Sequence, residues 1–449
     1  MAKKTNEPIN SVNKLSKKLS KTGKAISTAT VKTGRKLYKH GRMLGPGLIA
    51  GAADDDAGGI ATYSIVGATT GYSLAWLLLA STPMLIAVQG TCARIGNVTR
   101  KGLATLIKEK FGVNVAYIAA ALLVIANIAC ITADVTGMSI ALQLFTGIGW
   151  QFFIIPLSLL VLYVIIYKNF NSIQKVLIYL SLVLVAYVIA ALIAKPNWTT
   201  VITSTLTPQI TFSTTFLAAA IGLLGTTITP YLFYWQTATE IEAKRSEKHL
   251  SRVNFDIFTG MLYSNIVSYF IIIASGAVLF PHLAQLGGAT SVNNVADPIH
   301  FIAGALTPLA GQYSYLLFAT GLFAASILAV AVMSSSTAYV VCETLGWSKG
   351  LNKKVWQARG FYSVLTASVL VAVGIMLAGV KPIDALFYSQ VLSGALDPIL
   401  IYLIYKIATD ESIMKEHVIK GIWKYVMLVT MLIISIFVIV LFESIIPGL

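Results

Sequence analysis

The chain has 449 residues, 56% of them hydrophobic and only 11% charged, with a formal net charge of +15. A soluble domain carries about 25% charged residues, so these proportions, with a mean hydropathy of +0.78, argue against a water-surrounded globular enzyme. They fit an all-helical protein that crosses a bilayer many times.

Taken in chain order, residues 1–43 come first, with twelve Lys or Arg against the single acid Glu7. The segment runs straight into an apolar stretch and lacks the long apolar core of a cleavable leader. Its expected role is a cytoplasmic tail on anionic lipid headgroups rather than a nucleic-acid binder.

Eleven apolar spans follow, near 45–70, 74–94, 113–140, 150–167, 173–194, 214–240, 256–280, 312–341, 361–379, 383–406 and 422–446. Each approaches the roughly 20 residues that a helix needs to cross a bilayer. Basic residues fall in alternate loops: Arg94 to Lys110, Lys168 and Lys175, Lys244 to Arg252, Lys349 to Arg359, and Lys406 to Lys420. Lys195 and Lys381 are the main exceptions. By the positive-inside rule the N-terminus is cytoplasmic, and an odd span count puts the C-terminus outside, as for a prokaryotic plasma-membrane protein. The five histidines are expected in loops or tails, and Cys92, Cys130 and Cys342 as small buried side chains.

Two spans are interrupted. The first reads GPGLIAGAADDDAGGIATYSIVGA, with Asp54, Asp55 and Asp56 followed by Ala57, Gly58 and Gly59. A carboxylate at mid-membrane costs about 2.5–3.5 kcal/mol on insertion scales, and glycine weakens a helix by about 1 kcal/mol. Both features fit a helix that opens around a polar cavity, its freed carbonyls available to a cation. The alternative is that the aspartates sit in a loop; against it, the run from Gly45 is too short to span alone.

The sixth span holds Gly225, Thr226, Thr227, Thr229 and Pro230. Proline removes a backbone donor and frees a carbonyl; alone, it could be an ordinary kink. Interrupted segments in matching places of two halves point to a transporter site. Spans one to five (44–195) and six to ten (213–408) then form two repeats of five, with residues 420–449 as an eleventh helix. Because five is odd, the repeats are inverted. Asp55, Asp56, Thr226, Thr229 and Gln390 are the expected metal contacts. Asp134 in the third span could be structural or functional. No nucleophile–base pair or nucleotide loop appears, so an enzyme is not expected.

The GPG opening, the stretch Asp56 to Thr62, GYSLAW (Gly71 to Trp76), ARIGNVTRKGLA (Ala93 to Ala104), SIALQLF and SQV (Ser389 to Val391) resemble the NRAMP metal transporters. The resemblance implies a LeuT-like fold. It also marks departures. The family's Asp-Pro-Gly-Asn is here Asp56-Ala57-Gly58-Gly59, so the ligating Asn is Gly59. Its Met-Pro-His is Thr229-Pro230-Tyr231, and a later His is Gln236. Of two acids tied to proton movement, one is Ile131 and the other is Asp134. Losing thioether sulfur favours an oxygen-lined site for Mg²⁺ or Mn²⁺.

The pattern is similar to the NRAMP-related magnesium transporter branch, which implies Mg²⁺ and Mn²⁺ as transported substrates, no cofactor and no proton coupling. Asp54, Gly59, Tyr231, Gln236 and Asp134 are pathway candidates. The alternatives are a proton-coupled Mn²⁺/Fe²⁺ symporter and, from another class, a sodium-coupled amino-acid carrier on the same fold.

Overall fold

The computed structural model describes residues 45–167, 182–243, 250–285, 292, 295 and 297–445. The basic tail 1–43, the loop residues Lys168, Lys175, Lys244, Arg245 and Lys248, residues 173–181 of the fifth expected span and Leu449 lie outside the described residues. Among those described there is no strand.

Among the described residues, eight helices are long and apolar enough to cross a membrane: Ala75–Thr99, Val113–Thr146, Thr214–Glu242, Leu250–Leu283, Pro298–Leu345, Arg359–Leu377, Pro382–Ala408 and Ile422–Ser444. Three expected spans remain. One is the interrupted first span; one is the 17-residue helix Gln151–Tyr167; of the last, only Leu182–Ile193 is described. It bends by 116° into Trp198–Leu206. Residues 195–213 were expected as loop; instead the Asn197 side chain accepts from the Thr200 N–H and starts a helix there, as an N-cap does.

The first span divides into α1 (Pro46–Asp54) and α2 (Ala57–Thr70), α3 is Ala75–Thr99 and α4 is Val113–Thr146. The sixth span divides into α5 (Thr214–Thr227) and α6 (Pro230–Glu242). Then follow α7 (Leu250–Gln285), α8 (Ser314–Leu345), α9 (Pro382–Ala408) and α10 (Ile422–Ile445). His282 and His300, expected in loops, lie on helices: His282 in the last turn of α7 and His300 in Pro298–Ala303.

The packing follows the two-repeat pattern. The first span packs on the seventh, the sixth on the second, and the third on the eighth. Close approach rests on small residues, as usual between membrane helices. A Cβ added to Gly225 would stand 2.1 Å from the Gln390 carbonyl oxygen, so only glycine lets α5 lie this near α9.

Outward faces are apolar. On α10 Val429, Leu432, Ile436 and Ile439 are exposed at helical spacing, as suits a helix whose solvent is hydrocarbon. Inward faces carry the polar residues: Asp54, Asp55, Asp56, Asp134, Gln390 and Asp397 are all buried.

Candidate metal site

The first span opens where its sequence predicts. α1 ends at Asp54 and α2 begins at Ala57, with Asp56 as N-cap in extended backbone (φ −72°, ψ 176°). Its Oδ1 accepts the Gly59 N–H, satisfying one orphan donor of the helix start. A second donor, the Ala57 N–H, goes to Asp134 Oδ1 on α4 at 2.9 Å. Two carboxylates thus face one helix N-terminus, where the backbone dipole favours negative charge.

The sixth span opens at Ile228 and Thr229, with Pro230 as first residue of α6. Pro230 has no N–H to give the carbonyl four residues back, so the Thr226 carbonyl lacks its helical donor. The two openings touch. The Tyr231 hydroxyl donates to the Ala53 carbonyl at 2.8 Å, and Thr229 Oγ1 donates to Asp54 Oδ1 at 3.1 Å. Ser336 on α8 holds the Tyr231 carbonyl at 2.7 Å.

The three adjacent aspartates do not converge. Asp54 and Asp55 turn toward α7: Ser264 Oγ stands 2.9 Å from Asp54 Oδ2 and 3.2 Å from Asp55 Oδ1, and Ser268 Oγ 2.9 Å from Asp55 Oδ1. Asp56 points instead toward Gln390, whose Nε2 lies 3.4 Å from both carboxylate oxygens. Accordingly, no three His, Cys, Asp or Glu side chains form a cage among the described residues. Asp56, Gln390, Thr226 and Gly59 form one group; Asp54, Asp55 and Thr229 form another with Ser264 and Ser268.

Four buried oxygens at this junction have no hydrogen-bond partner: Asp55 Oδ2, Asp134 Oδ2, Thr226 Oγ1 and Gln390 Oε1. An unsatisfied buried polar group costs about 1–3 kcal/mol, and a cation is a natural partner for a set of free oxygens. Gly59 sits beside one of them, Thr226 Oγ1. A Cβ there would stand 2.6 Å from Thr226 Oγ1 and 3.0 Å from Asp56 Oδ1, so glycine keeps the gap between those oxygens open.

Gln236 lies apart. Its Nε2 donates to Glu240 Oε1 at 3.0 Å, and Asn97 on α3 donates to Glu240 Oε2 at 3.0 Å. Sequence reading missed Ser264, Ser268 and Ser336. The four-residue spacing of Ser264 and Ser268 in an apolar run was a signal, since it puts both on one helix face.

The sequence matches the natural resistance-associated macrophage protein-like (Nramp) family over residues 47–444. The divalent metal cation transporter MntH of Ralstonia nicotianae is 26% identical, covering 83% of this chain and 84% of its own. That of Bacillus subtilis is also 26% identical, with coverages of 78% and 79%. Among solved structures, the manganese transporter of Eremococcus coleocola aligns with a TM-score of 0.72 at 18% identity, covering 89% of this chain and 85% of that one. MHP1, a nucleobase-cation-symport-1 family transporter, aligns at 0.58 and 14%, with coverages of 89% and 90%. The fold is therefore the LeuT-like one of inverted five-helix repeats, and on the extent of the family match the chain belongs to the Nramp family.

Proposed function

We propose that this protein carries a divalent cation, Mg²⁺ or Mn²⁺, across the membrane by alternating access, without moving a proton. Asp56 supplies the charge, with Thr226 and Gln390 as neutral oxygen ligands and the freed Thr226 carbonyl beside them. Asp54, Asp55 and Thr229 add negative potential and hydroxyl support from the α7 side.

The observation that carries this reading is the oxygen-only gap between Asp56 and Thr226, kept open by Gly59. Oxygen donors without thioether suit hard ions. Mg²⁺ gives up water reluctantly and prefers a few carboxylates plus retained water, so extra room at residue 59 favours a partly hydrated ion. The family relatives named for divalent metal and for manganese support the substrate class. A doubly charged ion moving inward through 100 mV gains roughly 4.6 kcal/mol, enough to drive uptake without a coupled proton. The amino-acid carrier reading loses ground: a substrate carboxylate would meet Asp56 and Asp134.

The test is uptake of Mg²⁺, Mn²⁺, Ca²⁺ and Fe²⁺ into proteoliposomes with a negative interior, alongside a pH dye inside. Mg²⁺ and Mn²⁺ uptake at constant interior pH supports the reading. Acidification in step with metal entry establishes the proton-coupled symporter instead.

A further inference from the structure

A groove of about 340 Å³, lined by none of the residues at the two helix openings, lies between α3, α7 and the start of α10. Ile86, Gly90, Phe258, Ile419 and Trp423 make its walls apolar, and Arg94 stands in it half-buried. No acidic residue lines the groove, and Arg94 has no hydrogen bond or ion pair among the described residues. Arg94 is in the next-to-last turn of α3, and Asn254 in the second turn of α7, so the groove opens at the end of the bundle that bears Arg100, Lys101, Lys108 and Lys110.

We infer that this groove binds an anionic phospholipid, with one acyl chain against Ile86, Gly90 and Phe258 and the phosphate on Arg94. The chemistry is specific. A guanidinium forks two N–H groups toward a phosphate, and an unpaired one beside hydrocarbon is costly unless an anion or water meets it. Trp423, 42% exposed at the rim, is the aromatic type that settles at the headgroup level. Arg252, Lys420 and Lys424 stand within two residues of groove-lining positions and add positive charge. The basic segment 1–43 carries the wrong charge to occupy it. Ile257, also in the wall, directly follows Asp256, whose carboxylate accepts the N–H groups of Gly47 and Leu48 at 3.1 and 3.2 Å. A bound lipid therefore braces the turn of α7 that caps the start of α1. The site does not depend on which ion is carried.

The test uses the full-length protein in detergent, titrated with dioleoyl phosphatidylglycerol or dioleoyl phosphatidylcholine, with retained lipid counted by native mass spectrometry. The expected result is one phosphatidylglycerol held at least about tenfold more tightly than phosphatidylcholine. Arg94→Gln removes that preference and Arg94→Lys restores part of it. Gly90→Leu, where an added Cβ meets nothing within 4 Å, fills the groove without touching Arg94 and also expels the lipid. Equal retention of the two lipids by the wild type overturns the proposal. So does unchanged phosphatidylglycerol retention in Gly90→Leu, which would seat the lipid somewhere other than this groove.

Discussion

Asp134 accepts the backbone N–H of Ala57 at 2.9 Å, a bond between the third span and the opening of the first. Where the family usually has proline at this position, no such bond can form, because proline has no N–H. Ala57 thus gives Asp134 a structural task in this chain. Asp134→Asn keeps an acceptor oxygen and should stay close to wild-type stability. Asp134→Ala leaves the N–H buried and unpaired and should lose about 1–3 kcal/mol. Thermal unfolding in detergent separates the two. Equal loss in both variants would mean that the charge, not the bond, matters for stability.

The α7 hydroxyls should rank in a definite order. Ser264 lies within reach of both Asp54 and Asp55, whereas of these two aspartates Ser268 reaches only Asp55. Each alanine substitution should cost about 1–3 kcal/mol, with Ser264→Ala the larger. Denaturation of the two single variants decides it, and the reverse order would show that the Asp54 contact contributes little.

Gly59→Asn should narrow the site. The new side chain starts 2.6 Å from Thr226 Oγ1 and 3.0 Å from Asp56 Oδ1, so it displaces space that a hydrated ion would use. The expected outcome is a fall in Mg²⁺ relative to Mn²⁺ uptake on the order of tenfold, equivalent to about 1.4 kcal/mol. A competition assay with both ions reads the ratio; an unchanged ratio would remove Gly59 from selectivity.

Outside the membrane, Lys110 forms an ion pair with Asp410, tying the last turn of the short helix Leu103–Phe111 to the residue that caps Glu411–Met414 after α9. The Lys110 hydrogen bond, with Ser412 helping, holds the Asp410 carboxyl down at about 2. A depressed carboxylate contributes stability above its unfolded value near 3.8 and loses it as pH falls toward 2. The pair should therefore survive at pH 5. Asp410→Asn should remove its part of the acid destabilisation between about pH 4 and pH 2, seen as a flatter unfolding curve there. Loss of the difference between variant and wild type already at pH 5 would contradict this.

Both helix openings were legible because their causes are local. Consecutive aspartates and glycines at 54–59 disfavour helix, and Pro230 deletes a donor. The direction of each aspartate was not legible. Asp54 and Asp55 turn to Ser264 and Ser268 more than 200 residues away, and only tertiary packing decides which face of α7 they meet. The bend into Trp198–Leu206 was missed for a different reason: its start signal, Asn197, is a single capping residue in a short polar stretch. Gln236 is a pathway candidate by family register alone; its partner Glu240, to which Asn97 also donates, is set by tertiary packing.

In the proposed function Asp56, rather than its neighbours, holds the transported ion. The direct measurement is Mn²⁺ and Mg²⁺ uptake by Asp56→Ala and Asp55→Ala proteoliposomes at a fixed negative interior potential. Asp56→Ala is expected to lose at least about a hundredfold in uptake, about 2.7 kcal/mol, while Asp55→Ala retains a measurable part. Near-wild-type uptake by Asp56→Ala would contradict it.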